Sequence, residues 1–452
     1  MKLIDSFNTF YFVGAGGIGM SAIARYFKAM GMDVLGYDKT ETKLTDNLVA
    51  EGIKISFEDE ITEDIRSLDK EKTLVVYTPA IKSLKILDYF REKGFVLYKR
   101  AKVLGLITQN TECIAVAGTH GKTTTSTLLS HLAKEAGLEF SCFLGGISEN
   151  LQSNFHFGGS KYSVVEADEF DRSFLSLSPD WAIITSNDAD HLDIYGDRAS
   201  IEEGFREFAR LVEKEDQLFV QKDISLGRNS KSYGVNGKAD FYSDNLRVED
   251  GTMHFDFHFD GKSAPFSWRI PGTHNVENAT ATIALLVSLG VSIEKLQAGL
   301  KSFKGIRRRY SSYQLDNDKL YVDDYAHHPT ELNAVIGSIR TFYPGKKLLV
   351  VFQPHLYSRT RDFADDFAKS LENSDDLLLL DIYPAREISS DFPGISSKWL
   401  LDKVNHRSKE VSSLKEAMEK IETRDFDILL TVGAGNIDTL HDLILDKYKI
   451  KQ

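Results

Sequence analysis

The chain has 452 residues, 42% of them hydrophobic and 27% charged, with a formal net charge of -12. That length predicts two to four domains at roughly 100–200 residues each, every one large enough to bury a core. The acidic balance argues against a general nucleic-acid or membrane-surface binder, which would present a basic face. Small anionic ligands remain possible, because a few cations and a helix N-terminus suffice to hold them.

The only cysteines, Cys113 and Cys142, sit in apolar surroundings. No disulfide framework is predicted, and a reducing compartment suits the chain. No stretch approaches the ~20 apolar residues of a membrane span, and the opening MKLID lacks a signal-peptide core. The expectation is a cytoplasmic protein that works on small molecules, without nucleic acid or membrane, as a monomer or homodimer.

In chain order, residues 10–13 read as a buried strand, GAGGIG at 14–19 as a glycine turn, and the next stretch as a helix ending near Met30. Strands follow at 33–35 and 74–77, and the tract Lys99-Arg100-Ala101 leads out of this first block. A second block starts at 114–117, a buried strand feeding GTHGKTTT (118–125) and a helix to about Ala136. Strands at 162–165 and 181–185 each run into acidic residues. Between 239 and 270 the pattern changes. Met253, Phe255, Phe257 and Phe259 alternate with polar residues, and Asp250-Gly251 and Asp260-Gly261 read as hairpin turns. A helix near Asn275 closes this part. From about Gly305 a third block has strands at 320–322, 347–352, 377–381 and 428–432. Such alternation predicts an α/β fold with ligands at the carboxyl ends of the strands, and three blocks predict sites that face one another.

GTHGKT, after a strand and opening a helix, has the setting of a phosphate loop. Gly118 and Gly121 let backbone N–H groups approach phosphate oxygens, Lys122 can reach the β and γ phosphates, and the Thr123 hydroxyl can bind Mg²⁺. The loop is shorter than GxxxxGK[ST], since Val116 stands where the first glycine would be. A glycine-rich turn with a solvated lysine is the plainer reading; strand, loop, Lys-Thr-Thr and helix together argue against it. Acidic strand ends lie nearby in the pattern: Glu166-Ala167-Asp168-Glu169 and Asn187-Asp188-Ala189-Asp190-His191. They would repel a nucleotide unless Mg²⁺ sat between, and solvated loop charge is the plainer account of any one of them.

Gly14, Gly16 and Gly19 match GxGxxG, with Asp38 about twenty residues on. Alone this suggests NAD. The same geometry cradles any pyrophosphate at a helix N-terminus, that of a UDP-sugar included. A separate second phosphate loop points to one ATP and one nucleotide-linked substrate.

In this order the segments resemble the Mur ligase family, which builds the peptide of bacterial peptidoglycan, and within it the alanine-adding branch. The likeness covers nearly the whole chain. GAGGIGMS (14–21) is similar to the family's UDP-muramate pyrophosphate loop, GTHGKTTT to its ATP loop, and NDADHLD (187–193) to its metal-binding turn. PGTHNVENA (271–279) resembles the adenine-side segment, while DDYAHHPTE (323–331) and FQPHLYSRTRDF (352–363) resemble the amino-acid side.

The resemblance implies three domains. Residues 1–107 would form a Rossmann-like UDP-N-acetylmuramate-binding domain. Residues 108–305 would form a central P-loop ATPase-like α/β domain with a small antiparallel β portion, and 306–452 a C-terminal Rossmann-like domain for the amino acid. It implies that the γ-phosphate of ATP moves to the muramoyl carboxylate, and that the amine of L-alanine displaces phosphate from the acyl phosphate.

Site roles follow from the same likeness. Gly14, Gly16, Gly17, Gly19, Ser21, Asp38 and Arg100 would hold the UDP-sugar. Gly118, Thr119, His120, Gly121, Lys122, Thr123, Thr124, Asn275 and Asn278 would hold ATP. Thr123 and Glu166 would bind one Mg²⁺ and His191 a second. Lys122, Glu166, His191 and Arg309 would be catalytic, with Arg308 beside Arg309 on the transferring phosphate. Tyr325, His327, His355 and Arg359 would receive alanine, Arg359 meeting its carboxylate.

Some positions depart from the pattern. Leu356 stands where alanine-adding relatives tend to carry a basic residue. FREFARLV (205–212) contains no lysine, so the carbamylated lysine of sister ligases is not expected. The His327-His328 pair lacks further ligands at zinc spacing. Three other readings make different demands. A ligase recycling a preformed tripeptide would need a roomier third domain. An NAD-dependent oxidoreductase would not need the second loop, and a non-catalytic nucleotide switch would form no amide.

Overall fold

The computed structural model describes residues 3–78, 81, 83–187, 198–249, 251–385 and 387–448. The chain divides into two compact units, one of residues 1–245, 255–266 and 274–303, the other of residues 246–254, 267–273 and 304–452. Three sheets with flanking helices build the α/β fold.

The first sheet comprises β1 (Thr9–Val13), β2 (Asp33–Tyr37), β3 (Lys54–Ser56), β4 (Thr73–Tyr77) and β5 (Val96–Lys99), all parallel in the order β3-β2-β1-β4-β5. A central parallel strand is covered on both faces and so reads as an unbroken apolar run. β1 (TFYFV) does so: Phe10 and Phe12 join one core cluster, Tyr11 and Val13 another. Strand order reverses beside β1, and the 14–19 turn leaves its carboxyl end into helix Ile18–Ala29, the position at which such sheets bind ligands.

The second sheet has ten strands: β6 (Glu112–Ala117), β7 (Phe140–Ser148), β8 (Ser153–Phe157), β9 (Tyr162–Ala167), β10 (Trp181–Ile184), β11 (Leu218–Gln221), β12 (Lys231–Val235), β13 (Phe241–Glu249), β14 (Thr252–Phe259) and β15 (Lys262–Trp268). Their order is β15-β14-β13-β12-β11-β10-β6-β9-β7-β8. β6 lies between β9 and β10, parallel to both, with Ala117 in register with Ala167 and Ile184. The loops that follow these strands therefore emerge side by side, although they are far apart in sequence. β14 shows the anticipated alternation, with Met253, Phe255 and Phe257 buried. Asp260 (φ +47°) and Gly261 (φ +71°) both take left-handed conformations, as a tight hairpin turn requires. Asp250 of the other expected turn lies outside the described residues.

The second unit holds a six-stranded sheet: β16 (Ser311–Gln314), β17 (Leu320–Asp324), β18 (Leu348–Phe352), β19 (Asp376–Leu380), β20 (Lys409–Ser412) and β21 (Ile428–Val432). The order is β16-β17-β21-β18-β19-β20, with only the β16–β17 pairing antiparallel. Val432 is in register with Asp324 and Phe352, so the loops after β17, β18 and β21 leave together. Of the strands absent from the sequence reading, β3, β5 and β20 are three or four residues long and only partly buried; these lack the apolar run that signals a strand. The Lys99-Arg100-Ala101 tract, read as an exit from the first block, starts a helix, Arg100–Thr108. Among the described residues no helix is long and apolar enough to cross a membrane.

Candidate functional site

The 118–125 loop begins where β6 ends, and its glycines are sterically required. Gly118 has φ +141°, and a Cβ there would lie 2.0 Å from Thr185 Oγ1; Gly121 has φ +80°, with Asn278 Oδ1 2.7 Å from its would-be Cβ. The end of β10 braces the turn. His120 N donates to Ser186 Oγ (2.7 Å), Thr119 N to Ser186 O (3.3 Å), and the Thr185 hydroxyl faces the carbonyls of Ala117 and His120. Thr185 and Ser186 escaped the sequence reading, because no motif marks a hydroxyl that supports a loop from another strand. Asn275 and Asn278, both buried, lie on helix Thr273–Ser288.

Helix Lys122–Glu135 opens directly from Gly121, so its free N–H groups and dipole face the loop. Thr124 falls in its first turn. The carboxylates at the end of β9 and just past it divide between the first two residues of this helix. Glu166 accepts from Thr123 Oγ1 (3.0 Å) and, with its other oxygen, from Gly145 N (3.0 Å). A Cβ at Gly145 would lie 2.4 Å from that oxygen, so the contact needs a glycine. Glu169 takes the lysine: Lys122 Nζ is 2.9 Å from its Oε1 and 2.7 Å from its Oε2, and 2.6 Å from Gly118 O. Burial pushes the Glu169 carboxyl above its ordinary pKa, while the Lys122 charge pulls it back. The sequence reading named Glu169 only as part of an acidic run; its partner was not legible.

The Thr123 hydroxyl and Glu166 place hard oxygens side by side, a donor set that fits Mg²⁺. His191, expected as a further ligand, lies outside the described residues. Among the described residues no group of three or more His, Cys, Asp or Glu side chains is arranged to hold a metal ion.

The 14–19 turn is held more locally. Gly14 N and Ala15 N donate to Tyr37 O at 2.7 and 2.9 Å, and Gly16 N donates to Asp38 Oδ2 at 2.7 Å. Asp38, expected on the ligand, braces the turn with its carboxylate. Gly17 caps the helix, and Gly19 faces Arg100, whose Nη1 would sit 2.8 Å from an added Cβ. Arg100 also lies 3.8 Å from Asp168, just past Glu166, and a small cavity lined by Arg100, Leu104, Glu166, Asp168 and Phe174 opens there. Ser21, expected on the UDP-sugar, is wholly buried, donating to Ile18 O (2.9 Å) and accepting from Asn154 Nδ2 (3.0 Å), so its hydroxyl braces the helix. Asn154 on β8, also paired with Arg25, was not foreseen.

In the second unit the four expected amino-acid residues are gathered. The rings of Tyr325, His327, His355 and Tyr383 follow one another at centroid distances of 5.3, 5.9 and 5.7 Å. Burial lowers the His327 pKa, partly opposed by the Glu331 carboxylate, and Arg359 is near enough to lower it further. Arg359 Nη1 is buried without a hydrogen-bond partner among the described residues, as an arginine awaiting a carboxylate would be. Leu356 is buried at φ +71°, strained for a side chain. Its backbone is pinned there by Leu356 N donating to Tyr383 O (2.9 Å) and Tyr383 N to Pro354 O (2.8 Å). His328 caps helix Pro329–Phe342.

The two arginines expected on phosphate part company. Arg308 packs inward, with Nε 3.8 Å from Asp323, Nη1 3.5 Å from Asp438 and its guanidinium 5.0 Å from the Tyr325 ring centre. Arg309 is exposed.

Comparison with known proteins matches three family models in succession: "Mur ligase family, catalytic domain" over residues 9–111, "Mur ligase middle domain" over 116–286, and "Mur ligase, glutamate ligase domain" over 308–435. The UDP-N-acetylmuramate–L-alanine ligase of Christiangramia forsetii is 50% identical over 443 residues, covering 97% of each chain. That of Flavobacterium psychrophilum is 48% identical over 437 residues, covering 96% of each. Among solved structures, the UDP-N-acetylmuramate-alanine ligase of Thermotoga maritima superposes with a TM-score of 0.82 at 26% identity, covering 98% of this chain and 99% of its own.

Proposed function

The chain belongs to the Mur ligase family, and from that premise we infer that it joins L-alanine to the carboxylate of UDP-N-acetylmuramate with ATP, a step in making peptidoglycan precursor. The observation that carries the reading is the paired arrangement at the 118–125 loop: Lys122 and Thr123 each face a carboxylate from the next strand end. That arrangement suits transfer of a phosphoryl group between anions, where positioning and charge neutralisation supply most of the rate.

Backbone N–H groups of the loop and the N-terminus of helix Lys122–Glu135 receive the nucleotide phosphates. Lys122 meets the γ-phosphate, and Asn275 and Asn278 sit on the nucleotide side. Thr123 and Glu166 would hold Mg²⁺, which when bound offsets the repulsion between nucleotide and carboxylate. Gly14, Gly16, Gly17 and Gly19 bring backbone close to the UDP pyrophosphate, with Arg100 beside them. Arg309, which is exposed, is assigned to the transferring phosphate. Tyr325, His327 and His355 shape the alanine pocket and Arg359 binds the alanine carboxylate, which leaves the amine unengaged for attack. By this reading residues 1–107 serve the UDP-sugar, 108–305 ATP and 306–452 the amino acid. The enzyme works in the cytoplasm, as a monomer or homodimer.

The test is phosphate release from Mg-ATP with UDP-N-acetylmuramate and single amines. Alanine-dependent phosphate together with an amide product is the expected result. Turnover with a tripeptide but not with alanine would move the chain to the recycling reaction, and no amide with either would refute the reading.

A further inference from the structure

We propose that Glu169 is a positioning residue for phosphate transfer, pinning the Lys122 ammonium so that a single N–H remains to meet the nucleotide. The proposal rests on the reading of the 118–125 loop as the ATP site.

An ammonium carries three N–H donors. Lys122 Nζ donates to Gly118 O at 2.6 Å and to Glu169 Oε1 at 2.9 Å, with Glu169 Oε2 2.7 Å away in the ion pair. Its third contact, to Thr119 O, is 3.4 Å, longer than an ordinary N–H···O bond. Two donors are therefore committed and one is exchangeable. Both anchors are themselves fixed. Gly118 belongs to the loop. Glu169 is 1% exposed and starts the turn Phe170–Ser176, whose backbone is closed by Arg172 N donating to Glu169 O and Phe174 N to Asp168 O, each at 2.9 Å. A lysine held at two points presents its remaining N–H in one direction. A free lysine would have to be ordered at the moment of reaction, and donors fixed in advance are what lower a barrier.

Glu166 cannot share this task, because its oxygens are engaged by Thr123 and Gly145. The end of β9 and the turn after it thus supply two carboxylates with separate work, one beside the metal oxygens and one behind the lysine. A buried ion pair kept only for stability is the competing account, and such pairs contribute little net stability.

The experiment compares steady-state turnover of Glu169→Gln, Glu169→Ala, Lys122→Ala and the double variant, all as full-length enzyme and normalised to folded protein by circular dichroism. Glu169→Gln keeps the shape and an acceptor but loses the charge; kcat should fall about tenfold with KM for ATP within about threefold. Glu169→Ala should fall further, and the double variant should be no slower than Lys122→Ala alone, since the glutamate acts only through the lysine. A readout free of turnover is the rate at which an amine-reactive ester labels Lys122, followed by peptide mass spectrometry; it should rise in both Glu169 variants. The proposal is overturned if kcat per folded enzyme stays within about twofold of wild type in Glu169→Gln, or if the double variant is slower than Lys122→Ala. An unchanged labelling rate would also overturn it. Wild-type enzyme that makes no amide would instead refute the functional reading, and labelling would still decide the lysine–glutamate contact.

Discussion

The two glycine turns of the first unit have the same plan, a buried parallel strand running through glycines into a helix, and differ in what holds them. The 14–19 turn is braced by the strand that follows it, through Tyr37 O and the Asp38 carboxylate. The 118–125 turn is braced by residues much later in the chain, Glu169, Thr185, Ser186 and Asn278. The first is thus a local βαβ device, nearly complete within one stretch of sequence. The second exists only once β6 is flanked by β9 and β10 in register. A loop that binds a phosphate to be kept needs only backbone. A loop whose phosphate is to be transferred needs charged side chains aimed at it, and the neighbouring strand ends provide them.

The largest expected effect tests that distinction directly. Lys122→Ala should lower kcat by about 10²–10³-fold, the scale of losing one fixed donor to a developing anion, with secondary structure unchanged by circular dichroism. A loss of less than tenfold would make the second turn no more catalytic than the first.

Next come the glycines. Gly118→Ala combines φ +141° with a Cβ 2.0 Å from Thr185 Oγ1, and should cost about 3 kcal/mol in urea unfolding together with ATP binding. Gly17→Ala is its counterpart in the first turn. Its φ is −66° and the nearest atom to a Cβ is 3.5 Å away, so stability should move by less than about 0.5 kcal/mol. Similar costs at both positions would remove the contrast.

Asp38→Ala takes the one carboxylate from the first turn. Loss of its charged bond to Gly16 N (2.7 Å) should cost about 1.5–3 kcal/mol of stability and raise KM for the UDP-sugar. KM for ATP should stay unchanged, because among the described residues no contact joins Asp38 to the second turn. Smallest of all, Ser186→Ala should raise KM for ATP only a few-fold, corresponding to about 1 kcal/mol for a lost neutral bond to His120 N. An effect as large as that of Lys122→Ala would mean that the brace matters as much as the charge.

Much of this molecule was legible without coordinates. β1, β6, β18 and β21 are central parallel strands whose two covered faces demand unbroken apolar runs, and such runs stand out in a sequence. Both glycine turns follow such strands, and φ values of +87° at Gly14 and +80° at Gly121 admit few other residues. The alternation of β14 was equally plain, because one of its faces is buried and the other is not.

What the chain order could not reveal is which side chains meet across it. Ser21 reads like part of a binding loop, yet it is buried against Asn154. Glu166 and Glu169 look alike in an acidic run, and only the register of Ala117 with Ala167 sends one to Thr123 and the other to Lys122. Gly145 gives no hint that Glu166 needs its missing Cβ. Local periodicity and glycine content therefore determine the strands, the turns and the chemistry they can host. The assignment of each charge to its partner is made by strand pairing over long separations, because a hydrogen bond is set by distances of a few ångströms that sequence spacing does not encode.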